Sequence, residues 1–245
     1  MRLTAYEVYD KLLNEDKILT TKGQIRFYLG NVDIIVKHKD VVGNIIQEWL
    51  AGWLDSKGVD YALNSNTQMP PDIYLNPDDH KKNLLEIKAF YHKGGPGFDI
   101  ADFKAYCQAI IHSPHMLHAK YLIFSYDMDS DGFVVIKKIW LKNVWEICRP
   151  MEKWAINLQI KRDVVQKIRP ATWYSNRSKF KTFENIEDFL AAIEECVYRN
   201  PDTRTGAARW KPEMIANYKK FYNIELTIPR WDDIKDKYII SKKKK

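Results

Sequence analysis

The chain has 245 residues, with 39 Lys and Arg against 32 Asp and Glu, a net charge of +7 and 45% hydrophobic residues. Those proportions exclude a disordered or fibrous chain and suit one large globular domain with a sizeable core. No apolar run approaches the ~18 residues that a bilayer-spanning helix needs. The N-terminus lacks the apolar core of a signal peptide. Three widely spaced cysteines, Cys107, Cys148 and Cys196, predict a reducing, cytoplasmic setting rather than a disulfide scaffold.

The predicted elements follow in chain order. Thr4-Ala5-Tyr6-Glu7 has the form of a capping box and opens a helix over about Ala5 to Asn14. Two β-like runs, Ile25 to Leu29 and Val32 to Val36, flank a Gly30-Asn31 turn. Asp40 caps a second predicted helix, with Val41, Ile45, Trp49, Leu50 and Trp53 on one face and Gly58 beyond its end. Val59 to Leu63 reads as extended, Ile73 to Leu75 as a short strand and Leu84 to Phe90 as a stronger one. After the loop Gly94-Gly95-Pro96-Gly97, Asp99 is the expected cap of a helix reaching about His112. Tyr121 to Tyr126 and Phe133 to Leu141 form a predicted strand pair around Asp129-Ser130-Asp131-Gly132. Ala155 to Ile160 and Val164 to Ile168 are extended, Asn185 caps a helix ending near Arg199, and one or two helices follow. This order implies an α/β (α+β) fold with a central mixed β-sheet flanked by helices.

Charge divides the chain. Residues 1–150 hold 18 Lys and Arg against 19 Asp and Glu, whereas residues 151–245 hold 21 against 13. Four of the later cations are the tail Lys242 to Lys245, a frayed and solvated end. A basic excess on one part points to a polyanion such as nucleic acid, or simply to solubility. The expected organisation is one domain over 1–245, with a catalytic core at about 40–140 and a basic DNA-contacting part at about 151–241.

The chemistry concentrates in Pro71-Asp72, thirteen intervening residues, and Glu86-Ile87-Lys88. Residues two apart on a strand share a face, so Glu86 and Lys88 project together while Ile87 turns to the core. If the strand following Asp72 is their neighbour, the three groups converge on one sheet edge. Two carboxylates can then hold Mg²⁺, a hard cation that prefers oxygen and keeps several waters. Acid-x-Lys triplets occur six times in the chain, but only this one lies inside an apolar β run, Leu84 to Phe90. An acid and a lysine at mid-strand either face solvent as an ion pair or share a site. Glu48, on the second helix, is a candidate fourth group, or else a solvent-facing glutamate.

The chain resembles the NgoBV/NlaIV family of type II restriction endonucleases, within the PD-(D/E)xK nucleases. The likeness is carried by Ile25 to Ile34, Asp40 to Ser56, Asn66 to Asp79, Leu84 to Phe90 and Pro96 to Tyr106, and by later stretches as far as Ile228 to Trp231. The resemblance implies a Mg²⁺-dependent endonuclease that cuts double-stranded DNA at the centre of GGNNCC and leaves blunt ends. It places the family's PD at Pro71-Asp72 and its ExK at Glu86-Ile87-Lys88. Asp72 and Glu86 would be metal ligands, with the Ile87 backbone carbonyl as a third, and Glu48 would match an acidic helix position. A bacterial restriction activity of this kind requires a cognate DNA methyltransferase to spare host DNA.

A palindromic site implies a two-fold symmetric homodimer. Gln68, Lys93, Arg169, Arg177, Arg204 and Arg209 are candidate DNA contacts, since G·C pairs offer acceptors to Arg and phosphates accept from any cation. Alternative readings are a non-catalytic DNA-binding protein and a repair or structure-specific nuclease on the same fold. Two motifs are set aside. Asp127 to Gly132 opens like a calcium loop, but its twelfth position is Lys138, so a hairpin turn is expected. His112, His115 and His118 straddle Pro114 and need not share a face.

Overall fold

The computed structural model describes residues 1–66, 69–175 and 177–240. In chain order the elements are α1 (Ala5–Asp10), β1 (Lys22–Gln24), β2 (Arg26–Leu29), β3 (Val32–Ile35), α2 (Val42–Ser56), β4 (Ala62–Leu63), β5 (Ile73–Tyr74), β6 (Leu84–Tyr91), β7 (Ala101–Asp102), α3 (Phe103–His112), β8 (Lys120–Met128), β9 (Phe133–Asn143), β10 (Leu158–Lys161), β11 (Val164–Ile168), α4 (Ile186–Arg199), α5 (Ala207–Tyr222) and α6 (Trp231–Ile234). They fall into two compact units. One comprises residues 1–98 and 119–142, and the other 99–118 and 143–245.

The first unit is built on a six-stranded mixed sheet in the order β1-β9-β8-β6-β5-β4. β6 and β8 run parallel through seven register pairs from Leu85↔Lys120 to Tyr91↔Tyr126. β5 and β4 add antiparallel on one side, and β1 joins β9 antiparallel on the other. β6 is the central strand of the motif and is apolar for most of its length, as expected of a strand buried by its neighbours and by a helix. Its Leu85 and Ile87 share a core with Leu122, Phe124 and Ile136 of the sheet, Val42, Ile46, Leu50 and Leu54 of α2, and Val8 and Leu12 from the N-terminal helical segment.

Three sequence expectations for this unit shift. The capping box forms as predicted: Glu7 N–H donates to Thr4 Oγ1 over 3.3 Å and Thr4 N–H donates to Glu7 Oε2 over 2.7 Å. However, α1 ends at Asp10 and a π turn continues it over Lys11–Glu15. Asp40 does not cap α2. It lies in a 3-10 turn, and Val41 occupies the cap position without a side-chain bond. The buried stripe of α2 is Val42, Ile46, Leu50, Trp53 and Leu54, while Val41 and Trp49 are exposed. The helix begins after the 3-10 turn, which rotates its inward face by about one residue relative to the predicted stripe. The Asp129–Gly132 segment is a hairpin turn, with Gly132 at φ +80 and Asp129 Oδ1 accepting from the Asp131 and Phe133 amides.

The second unit contains the three-stranded sheet β10-β11-β7 and the helices α3 to α6. The cap of α3 is Asp102, which accepts from the Ala105 amide over 3.0 Å, not Asp99. Asp99 instead pairs with Arg169. β10 begins at Leu158, because the chain is still turning through Trp154. Asn185 caps α4 as predicted, accepting from Asp188 N–H over 2.8 Å. α5 is tied to α3 by Trp210 Nε1 donating to the Cys107 carbonyl over 2.8 Å and Asn217 Nδ2 donating to the Ile111 carbonyl over 2.9 Å. Basic and acidic residues balance at 16 each in the first unit and stand at 23 against 16 in the second.

Candidate active site

β5 is short, and its pairing with β6 sets the site. Ile73 lies opposite Leu85 and Tyr74 opposite Leu84. Asp72 therefore comes where the β5 edge gives out, level with the middle of β6. Its Oδ2 accepts the Ile87 amide over 2.7 Å, taking the place of the next rung of the ladder. Its Oδ1 accepts from Gln47 Nε2 of α2 over 2.9 Å. The carboxylate is thus fixed from two directions. Burial raises its pKa, opposed by the Ile87 amide, the Lys88 charge and Gln47.

Glu86 projects from mid-β6 and is 3% exposed. Its Oε1 lies 2.8 Å from Lys88 Nζ, whereas its Oε2 has no hydrogen-bonding partner in the protein. Burial pushes the Glu86 carboxyl up to about 7, against the pull of Lys88 and with a further push from the Asp72 charge. A buried carboxylate oxygen without a donor is costly in water-free surroundings. Together with Asp72, its chemistry fits a divalent cation. The described residues bring no third His, Cys, Asp or Glu to such a group, which suits a cation that retains several waters.

The remaining sequence candidates are placed as follows. Glu48 is exposed on α2 and joins no acidic group with Asp72 and Glu86 among the described residues. The residue of that helix that reaches the site is its neighbour Gln47. A Cβ on Gly43, one turn earlier on the same face, would lie 4.0 Å from the Ala89 carbonyl. A residue without a side chain at 43 therefore lets α2 lie close against β6, and position 47 then reaches Asp72. A small residue followed four positions later by an amide is the sequence signal that points to Gln47. Lys93 stands 3.4 Å from Asp127, so its charge is partly spoken for, and Arg169 is paired with Asp99. Arg177 is exposed and lines a polar cavity of about 660 Å³ with Arg149, Lys179 and Ser175. Burial lowers the pKa of Arg149, a basic residue that the sequence did not single out. Arg204 is exposed in a 3-10 turn, and Arg209 is exposed beside His112 and Glu213. Gln68 and Lys242 to Lys245 lie outside the described residues. The histidines form no metal group: His118 Nε2 lies 2.8 Å from the Tyr218 hydroxyl and His115 stacks on Phe221.

Comparison with known proteins agrees with this geometry. The family model described as NgoBV restriction endonuclease matches residues 2–238. The type II restriction enzyme NlaIV of Neisseria lactamica is 58% identical over 239 residues, covering 97% of this chain and 98% of that protein. The type II restriction enzyme NgoBV of Neisseria gonorrhoeae is 54% identical over 162 residues, covering 66% of this chain and 92% of that protein. A solved structure of NlaIV restriction endonuclease superposes with a TM-score of 0.95 at 57% identity, covering 98% of each chain. The chain belongs to the NgoBV restriction endonuclease family, a family of type II restriction enzymes.

Proposed function

We propose that the chain is a Mg²⁺-dependent type II restriction endonuclease. It hydrolyses phosphodiester bonds of double-stranded DNA at GGNNCC, cuts at the centre to leave blunt ends, and works as a homodimer alongside a cognate methyltransferase in a bacterial cytoplasm. The observation that carries the catalytic part is the convergence of Asp72, Glu86 and Lys88 on one strand edge, with Glu86 Oε2 left without a protein donor. The sequence specificity rests on the family resemblance alone.

The side chains divide the work. Asp72 and Glu86 offer carboxylate oxygens to the cation, and each Asp72 oxygen keeps a second lone pair after its hydrogen bond. Amide N–H and carbonyl of one strand residue point to the same side, so the Ile87 carbonyl is directed toward the edge where its N–H meets Asp72. Bound Mg²⁺ lowers the pKa of water and stabilises charge on the phosphate. Lys88 Nζ, held by Glu86, orients the attacking water and places positive charge beside the phosphate. Gln47 and the Ile87 amide hold the Asp72 carboxylate in place.

Plasmid DNA incubated with the protein and Mg²⁺ tests this reading. Discrete fragments that disappear when a chelator is added are expected. No cleavage, or a smear without preferred fragments, rejects it.

A further inference from the structure

β2 and β3 form a two-stranded ribbon separate from the main sheet. It continues past the point where β1 leaves β9, since Gln24 pairs with Phe133 at the very start of that strand. The base of the ribbon is fixed: Val36 N–H donates to the Ile25 carbonyl over 2.9 Å, and a Cβ on Gly132 would come within 2.7 Å of Ile35 Cγ2. Beyond it, four residues per strand project about 13 Å at ~3.3 Å per residue. The register pairs Phe27 with Ile34 and Leu29 with Val32 on one face, and Tyr28 with Asp33 and Arg26 with Ile35 on the other. The second face carries the Arg26–Asp33 ion pair at 2.8 Å. The first face is wholly apolar, and its four side chains are 50–71% exposed.

Beside the ribbon's base, an apolar cavity of about 230 Å³ opens between α2 and the β1–β9 edge of the sheet. Ile18, Ile25, Val42, Ile45, Trp49 and Val134 are among its walls, and Trp49 at its rim is 40% exposed. An isolated ribbon with one bare apolar face is unstable in water unless something covers that face.

We propose that a second copy of this chain covers it. The apolar face of the β2–β3 ribbon seats in the Trp49-rimmed groove of the partner copy, and the partner's ribbon seats in this one. The inference rests on the proposed palindromic cut, which requires two subunits, and it names the surface that joins them. Arm and groove lie on the same chain, both uncovered, which is the condition for a closed two-fold contact. The face carries no cation, so it offers nothing to a phosphate backbone. Each exposed aromatic or large aliphatic side chain contributes ~100 Å², so the ribbon face offers roughly 400 Å². Exchange of two arms into two grooves then buries roughly 1,600 Å², the ordinary size of a stable interface.

Sedimentation velocity of the full chain without DNA or metal tests the proposal. The wild type is expected at twice the 28.9 kDa chain mass. Leu29→Lys with Val32→Lys is expected to run as a monomer with an unchanged circular dichroism spectrum. Tyr28→Lys, on the opposite face, is expected to remain a dimer. As a readout independent of the lysine variants, Val32→Cys and Trp49→Cys chains are mixed and treated with a short bis-maleimide. The native cysteines are all buried, so a crosslinked heterodimer is expected. A monomeric wild type, a double-lysine variant that stays dimeric, or no crosslink overturns the proposal. So does a double variant that stays dimeric and loses DNA binding, which would assign the ribbon to DNA instead. Cleavage of GGNNCC by the wild type is measured separately, so the proposed activity can stand where this surface fails.

Discussion

Gln47 Nε2 donates to Asp72 Oδ1 across 2.9 Å, so α2 holds the carboxylate that closes the β5 edge. Removing a partner that orients a metal ligand typically costs 10–100-fold in activity or metal affinity. Gln47→Ala is therefore expected to lower kcat by about that factor and to raise the Mg²⁺ concentration needed for half-maximal cleavage. Glu48→Ala, one residue away and exposed, is expected to change both far less. Equal losses in the two variants would remove Gln47 from its positioning role.

Divalent cation binding should be visible without any turnover. Glu86 Oε2 is buried without a protein donor, and a ligand that binds only the folded state raises the melting temperature. Wild-type protein in saturating Mg²⁺ or Ca²⁺ is expected to melt several degrees higher than in chelator. Asp72→Asn with Glu86→Gln is expected to show no such rise. A rise of the same size in the double variant would exclude these carboxylates as ligands.

Lys88 has two roles that one substitution separates. It is the ion-pair partner of buried Glu86 at 2.8 Å, and loss of one partner of a buried pair destabilises by about 3–5 kcal/mol. Lys88→Met is expected to abolish cleavage and to lower the melting temperature. Lys88→Met with Glu86→Gln is expected to recover the melting temperature but not the activity. Cleavage by either variant at wild-type rates would contradict the role given to Lys88.

Asp16 supplies a pH-dependent part of the stability of the first unit. Its carboxylate accepts from Trp53 Nε1 and Lys57 Nζ, each over 2.7 Å. These partners hold its pKa below the ordinary 3.8, Lys57 first, with burial opposing. A carboxyl whose folded pKa is depressed contributes stability that is fully present above the unfolded value and lost as pH falls through the folded one. Urea midpoints of wild type and Asp16→Asn are expected to differ by a constant amount, about 1 kcal/mol, from pH 7 to pH 5. The gap should close below about pH 4. A gap that widens in acid would invert the assignment.

DNA affinity should separate the exposed cations from the engaged ones. Each phosphate contact adds about 0.9 to the slope of log affinity against log salt. Arg177, exposed beside Arg149 and Lys179, is expected to lower that slope by nearly one unit when changed to Ala. Lys93 faces Asp127 at 3.4 Å, so Lys93→Ala is expected to lower it less. Measuring binding of noncleaved DNA in Ca²⁺ across a salt series gives both slopes.

Much of the site was legible because it is local to two strands. The run Leu84 to Phe90 is apolar except for Glu86 and Lys88, and only a shared site or solvent explains such a placement; the 3% exposure of Glu86 excludes solvent. Pro70-Pro71 marked the start of β5, which brought Asp72 to its level. The ribbon was equally plain from Gly30-Asn31 between alternating apolar runs, and Gly30 does adopt φ +57. Gln47 was not legible. The phase of α2 depends on a 3-10 turn at Lys39–Val41, and a one-residue error in phase exchanges Gln47 for Glu48. Nor was the division into two units, because residues 99–118 leave the first unit between β6 and β8 and pack with residues from after β9. Composition averages over such an excursion, which is why the basic excess appeared as a property of the C-terminal part alone.

The central claim is tested most directly by mapping every cut end on DNA of known sequence after digestion in Mg²⁺. The account predicts flush ends at the middle of each GGNNCC and nowhere else, with none produced by Asp72→Ala. Ends at another sequence, staggered ends, or the same ends from Asp72→Ala would contradict it.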